Sequence, residues 1–229
     1  CPDPNGSGHS TLHSASARAS MVLRYEGPMP NYAVQTGDIV KSSQLPAGGL
    51  DSIFKSLTKA SETIGRWQDA PTYFTRNRGD GWQMAVDPGV ALRAVFATRA
   101  AVRRVDKRFD TRVALALGDG SIPGNTLSDA YGPVFTASGQ ALEQMPRKRD
   151  MVIADGNGGY AVTLRLAEEI IKRWTEAQAE VAMHALAPDQ PTQTALASVL
   201  NVTQQTIQGH VDGSGVDALI AACELYDAV

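Results

Sequence analysis

The stretch Tyr32-Ala33-Val34-Gln35-Thr36-Gly37-Asp38-Ile39-Val40 reads as a buried strand with an aspartate near its end. Further on, Thr72 to Arg76 and Gly81 to Val86 flank Asn77-Arg78-Gly79-Asp80, the pattern of a β-hairpin with its tip at Gly79-Asp80. Between them, after a Pro-Ala-Gly-Gly turn, Ile53, Leu57, Ile64 and Trp67 fall at helical spacings and predict an amphipathic helix.

Working outward, Pro88 sits where proline is tolerated, in the first turn of a helix expected to run to about Asp106 with Leu92, Val95, Phe96 and Val102 facing the core. A strand from Arg112 to Leu117 enters Gly118-Asp119-Gly120, followed by a helix from Tyr131 to Met145 and a short strand from Met151 to Ala154. The order is β-α-β-β-α-β, then α-β, and its first six elements are the ferredoxin-like order. The expected fold class is therefore α+β, a mostly antiparallel sheet with helices on one face, over residues 31–157. A single long helix from Tyr160 to Leu186, with Leu164, Leu166, Ile170, Ile171 and Trp174 on its apolar face, is expected to connect (residues 158–187) to a small all-α module at 188–229. Residues 1–30 begin with a Ser, Gly, His and Ala-rich stretch without apolar periodicity and are expected to be disordered, with Met21 a candidate native start.

The chain has 229 residues, 43% hydrophobic and 20% charged, and no apolar run approaches a membrane-spanning length. Its formal net charge of −3 provides no general attraction to nucleic acid or anionic membrane. Cys1 and Cys223 are too few for a disulfide framework or a cysteine-rich zinc site, and a reducing cytoplasm is the expected compartment. His9, His13, His184 and His210 are too scattered for a zinc site or a triad.

Asp38 and Asp80 are the candidate chemistry. A strand-end aspartate and a hairpin-tip aspartate, if the chain brings them together, form a hard-oxygen site suited to Mg²⁺ or Mn²⁺. Without a cation the pair repels, so Asp38→Asn or Asp80→Asn is expected to be neutral or mildly stabilising. The competing reading makes each aspartate a turn cap. Asp119 is a weaker third candidate, and Arg76, Arg78 and Lys41 are exposed cations near the same turns.

Gly37-Asp38-Ile39-Val40-Lys41-Ser42-Ser43 and Gly79-Asp80-Gly81 together resemble the catalytic domain of class III nucleotidyl cyclases, over about 125 residues and in element order. The resemblance implies a metal site at Asp38, Ile39 and Asp80, phosphate held by the turn at Lys41, Ser42 and Ser43, a nucleoside triphosphate or related nucleotide as ligand, and a homodimer. It also implies an asparagine and an arginine on the helix Gly132-Pro133-Val134-Phe135-Thr136-Ala137-Ser138-Gly139-Gln140-Ala141-Leu142-Glu143, where this chain has Phe135 and Gly139. Neither can stabilise developing charge, so cyclase turnover is not expected. With the C-terminal segment included, the chain is similar to the SatD-like family over nearly all residues after Asn31.

Gln193 to Ile207 resembles a helix-turn-helix, with Ala197 at the crossing, Asn201 at the left-handed turn position, Thr203 as N-cap, and Leu200, Val202, Ile207 and Val211 between the helices. Gln204, Gln205 and Gln208 are the side chains that could read bases. No Lys or Arg occurs from His184 to Val229, while Asp189, Asp212, Asp217, Glu224 and Asp227 are acidic. Charge thus disfavours DNA binding, and assembly is the expected role. The sequence points to a bacterial regulatory protein with a nucleotide- and metal-binding domain. The alternatives are an active metal-dependent cyclase and a DNA-binding regulator.

Overall fold

β1 (Tyr32–Ile39) forms the centre of the sheet because its residues are buried on alternate faces: Ala33 packs with one group of side chains and Val34 with the other. The structure is a computed structural model that describes residues 31–154 and 158–227. The expected disorder of 1–30 falls outside the described residues.

The remaining elements are α1 (Gly49–Trp67), β2 (Tyr73–Arg76), β3 (Gly81–Val86), α2 (Ala91–Arg103), β4 (Thr111–Gly118), α3 (Pro133–Glu143) and β5 (Met151–Ile153). They are followed by α4 (Gly158–Ile171), α5 (Glu176–Ala185), α6 (Gln193–Leu200), α7 (Gln204–Ser214) and α8 (Val216–Asp227). The chain is a mixed α+β protein, its five strands ordered β2-β3-β1-β4-β5. β1 pairs antiparallel with both β3 and β4, while β5 adds parallel to β4. The first four strands and two helices thus follow the ferredoxin-like arrangement expected from element order.

Helices α1 and α2 cover one face as expected. α3 lies on the other, where Val134 packs with Val34, Ala85 and Ala116, so the sheet is not bare on its second side. Every residue of α2 is buried. Its alanines at 91, 94, 97, 100 and 101 let neighbouring backbones come close, and on its far side the chain stacks α5 and α8, whose Ala179, Ala182, Leu219 and Cys223 join the core that contains Ala33 and Met84.

The long helix expected from Tyr160 to Leu186 is two helices. The chain leaves α4 after Ile171 and restarts at α5 through a capping box, in which Thr175 accepts the N–H of Gln178 and Gln178 accepts the N–H of Thr175. Trp174, fully buried between them, donates its indole N–H to the Ser214 carbonyl at 2.8 Å. Leu166, expected on the apolar face of this helix, is 64% exposed. Pro88 starts a short 3-10 turn, Pro88–Val90, capped by Asp87, and only then does α2 begin.

Candidate functional site

Gly37 sets the geometry of the Asp38 end of the sheet. A side chain at Gly37 would occupy the space of the Trp82 indole and of the Arg112 carbonyl, so only glycine lets Trp82 lie across β1. The Trp82 indole donates to Thr111 Oγ1 at 3.0 Å, and Thr111 donates to the Asp38 carbonyl at 2.7 Å, locking the β1 end against β4. The Asp38 side chain then projects to the opposite face.

The hairpin tip arrives from the other side. Gly81 pairs with Asp38, and the N–H of Ile39 donates to the Asp80 carbonyl at 3.2 Å, which places Asp80 beside the end of β1. Gly79 turns the tip with φ 78°. Lys41 adopts φ 52°, after which Ser42–Gln44 form a 3-10 turn, and the Ser42 hydroxyl donates to the Asp80 carboxylate. Asp38, Ile39, Lys41, Ser42, Ser43 and Asp80, all singled out in the sequence, therefore lie at one end of the sheet. Ile39 is buried, Asp38, Ser42 and Asp80 are half-buried, and Lys41 and Ser43 are exposed.

Arg112, which pattern reading alone did not identify, dominates this end. It pairs with Asp38 across β1 and β4, and its guanidinium takes both carboxylate oxygens: Nε donates to Oδ1 at 2.9 Å and Nη2 to Oδ2. Hydrogen bonding to Asp38 raises the Arg112 pKa above its ordinary value. Burial opposes the shift, and the charges of Asp38, Asp150 and Asp80 add to it. Only the β1–β4 register, which no single strand reveals, pointed to this residue.

Two residues on from Asp38, along the same face, Thr36 and Ser138 of α3 share a hydrogen bond of 2.8 Å, and Gln83 donates to Thr36 at 3.0 Å. Beyond them a groove of about 540 Å³ runs between α3 and β5. Its lining, including Thr136, Gln140, Gln144, Met145 and Val152, carries no ionisable side chain, so it offers a polyphosphate neutral donors but no counter-charge. The charge is at the Asp38 end. On α3, Phe135 packs with its ring centroid 6.5 Å from that of Tyr32, and a side chain at Gly120 would come within 2.7 Å of it.

Behind Arg112 the charges continue inward. Arg99, fully buried, donates to Asp110 at 3.1 and 2.5 Å and lies 3.7 Å from Asp150. Arg103 donates to Asp110 at 3.2 Å and to the carbonyls of Lys172 and Trp174 at 2.9 and 3.0 Å, satisfying the end of α4. Burial lowers the Arg103 pKa, only partly offset by Asp110, and the charge of Arg99 pushes it further down. Glu168 accepts the N–H groups of Asp150 and Met151 at 2.9 and 3.0 Å and the Lys172 ammonium at 3.0 Å. Burial alone would raise the Glu168 pKa, but these donors outweigh it and hold it below the ordinary glutamate value.

A divalent ion fits this arrangement poorly. Both Asp38 oxygens are engaged by Arg112 and Asp80 by Ser42, and among the described residues no group of three or more His, Cys, Asp or Glu side chains is placed to hold a metal. Asp119 stands apart at the start of the loop before α3, exposed, its carbonyl accepting the N–H of Val134. Arg76 is held by Asp51 and lies over the Phe54 ring at 4.1 Å.

Gln204, Gln205 and Gln208 lie far along the chain, on α7, and are exposed. Gln208 accepts from Gln193 and donates to Asp212, and Gln204 accepts from Thr194, so two of the three are tied to neighbours within the C-terminal helices. Asn201 adopts the expected left-handed conformation, φ 54°, and Thr203 caps α7. Val202, expected between the helices, is 42% exposed, whereas Ala197, Ile207 and Val211 are buried. No helix of the described residues is long and apolar enough to cross a membrane.

No protein-family model matches the chain, and no curated protein does. Among solved structures it is similar to a bacterial light-regulated adenylyl cyclase, at 13% identity and TM-score 0.38, covering 56% of this chain and 77% of that one. A second structure of a bacterial light-regulated adenylyl cyclase is similar at 14% identity and TM-score 0.40, covering 58% and 45%.

Proposed function

We propose that the chain is a regulatory protein whose cyclase-like domain binds a nucleoside triphosphate or related nucleotide at the Asp38 end of the sheet without turning it over. The observation that carries this is the convergence of Asp80, the Lys41–Ser42–Ser43 turn and the Arg112 guanidinium at one sheet end. Arginine and lysine beside a hydroxyl-bearing turn are the donors a polyphosphate needs. The lack of turnover is supported by Phe135 and Gly139, which supply no donor on α3 where the resemblance calls for an asparagine and an arginine. The C-terminal helices serve assembly, as a homodimer, because their exposed glutamines come with no basic side chain to meet phosphate.

Isothermal titration with ATP and GTP tests this reading, with Lys41→Ala and Arg112→Gln as controls. Saturable binding lost in both variants is expected, with no cyclic product. Formation of cyclic nucleotide would establish the enzyme instead, and no binding of either nucleotide would overturn the reading.

A further inference from the structure

We propose that Arg112 is the resident cation of Asp38, a fixed guanidinium that occupies the carboxylate a divalent ion held by Asp38 and Asp80 would need, so that this end of the sheet works without metal. The placement is covalently built in. Asp38 and Arg112 are direct partners in the β1–β4 register, so neither side chain has to reach, and the planar fork of the guanidinium matches both carboxylate oxygens. Asp80, the other carboxylate, already accepts the Ser42 hydroxyl, and its charge acts on Arg112 as well.

Most of the surrounding negative charge is already paired. Asp38, Asp110 and Asp150 are met by Arg112, Arg99, Arg103 and Lys172 through the ion pairs Arg112–Asp38, Arg99–Asp110, Arg103–Asp110 and Lys172–Asp150, Lys172 also meets Glu168, and Asp80 accepts the Ser42 hydroxyl. A hydrated Mg²⁺ or Mn²⁺ holds its shell tightly and needs free carboxylate oxygen to bind. Here it would have to expel a guanidinium that gains two charge-assisted hydrogen bonds and leave that positive charge nearby, where it repels the ion. Remove the guanidinium, and the half-buried Asp38 carboxylate loses its counter-charge and has both oxygens free for a cation, with Asp80 on the neighbouring hairpin tip.

The inference concerns the same locus as the proposed nucleotide site, but its test needs no nucleotide. The full chain is titrated with Mn²⁺ alone, following the free-ion signal by electron paramagnetic resonance. The wild type is expected to leave the signal undiminished. Arg112→Gln is expected to bind one Mn²⁺ at least about tenfold more tightly than the wild type, because a neutral side chain replaces the competing charge. Adding Asp38→Asn to that variant should abolish the gain. Arg112→Lys, which keeps the charge but can cover only one carboxylate oxygen, should fall between the two and decides the matter should Arg112→Gln not fold. Stoichiometric Mn²⁺ binding by the wild type that Asp38→Asn removes would overturn the proposal. So would a folded Arg112→Gln, or in its place Arg112→Lys, that binds no better than wild type. Loss of nucleotide binding under every condition would sink the proposed function and leave this result standing.

Discussion

Arg112 and Asp38 meet across neighbouring strands with two guanidinium nitrogens on two carboxylate oxygens. That relationship reverses the sign expected for an isolated pair of aspartates. With a cation in place, Asp38→Asn removes an attraction rather than a repulsion and should destabilise the chain. Both side chains remain partly open to water, so the loss should be modest, about 1 kcal/mol, and should shrink in high salt. Urea denaturation at two ionic strengths measures it, and a variant as stable as the wild type would show that the pair contributes nothing.

Gly37→Ala should cost more. The added methyl meets an indole ring and a backbone carbonyl, neither of which is a flexible chain end, and overpacking of this kind costs about 1 to 3 kcal/mol. Trp82 is the ring displaced, so its fluorescence should change along with the denaturation midpoint.

Glu168 governs the response to acid. Its pKa is lowered in the folded chain, so its contribution is complete above the unfolded-state value, about 4.3, and is lost as pH falls through the lower folded value. Glu168→Gln should cost about 3 kcal/mol at neutral pH, since the half-buried cations Arg149 and Lys172 and the N–H groups around the fully buried carboxylate lose their counter-charge. The difference from wild type should narrow below pH 4. Thermal melts from pH 3 to pH 7 follow it, and parallel curves would refute the assignment.

Duplex DNA should bind weakly, with a dissociation constant no better than about 10⁻⁴ to 10⁻⁶ M at physiological salt. Sedimentation at tens of micromolar should instead show a homodimer. Nanomolar, sequence-selective binding abolished by changing Gln204 and Gln205 would mean that the missing basic charge matters less than argued.

The sheet was legible because alternation and turn residues act locally: Gly81 to Val86 was bounded to the residue, and β1 and β4 to within one residue at either end. That Asp38 and Asp80 belong to one end of the sheet was implied by the resemblance to class III nucleotidyl cyclases and not by the pattern of either strand. Arg112 was not legible, since a lone strand shows which face a side chain takes but not which residue it meets on the next strand. The break between α4 and α5 did leave a signal, Thr175 followed three residues later by Gln178, but the apolar spacing through Trp174 masked it. The exposure of Leu166 and Val202 depends on which helices stack where, and periodicity says nothing about that.

Helix α2 has no face turned to water. Peeling either the sheet or the C-terminal helices away would bare a column of alanines and valines together with three arginines, Arg93, Arg99 and Arg103, of which Arg103 bonds to Asp110 on one side and to the carbonyls of Lys172 and Trp174 on the other. The two halves are therefore bound into one melting unit, and calorimetry should record a single transition. For the same reason the C-terminal helices are not a loosely tethered arm: Arg103 ties Asp110, just before β4, to the carbonyls that follow α4, so the two ends of that link are fastened through one side chain.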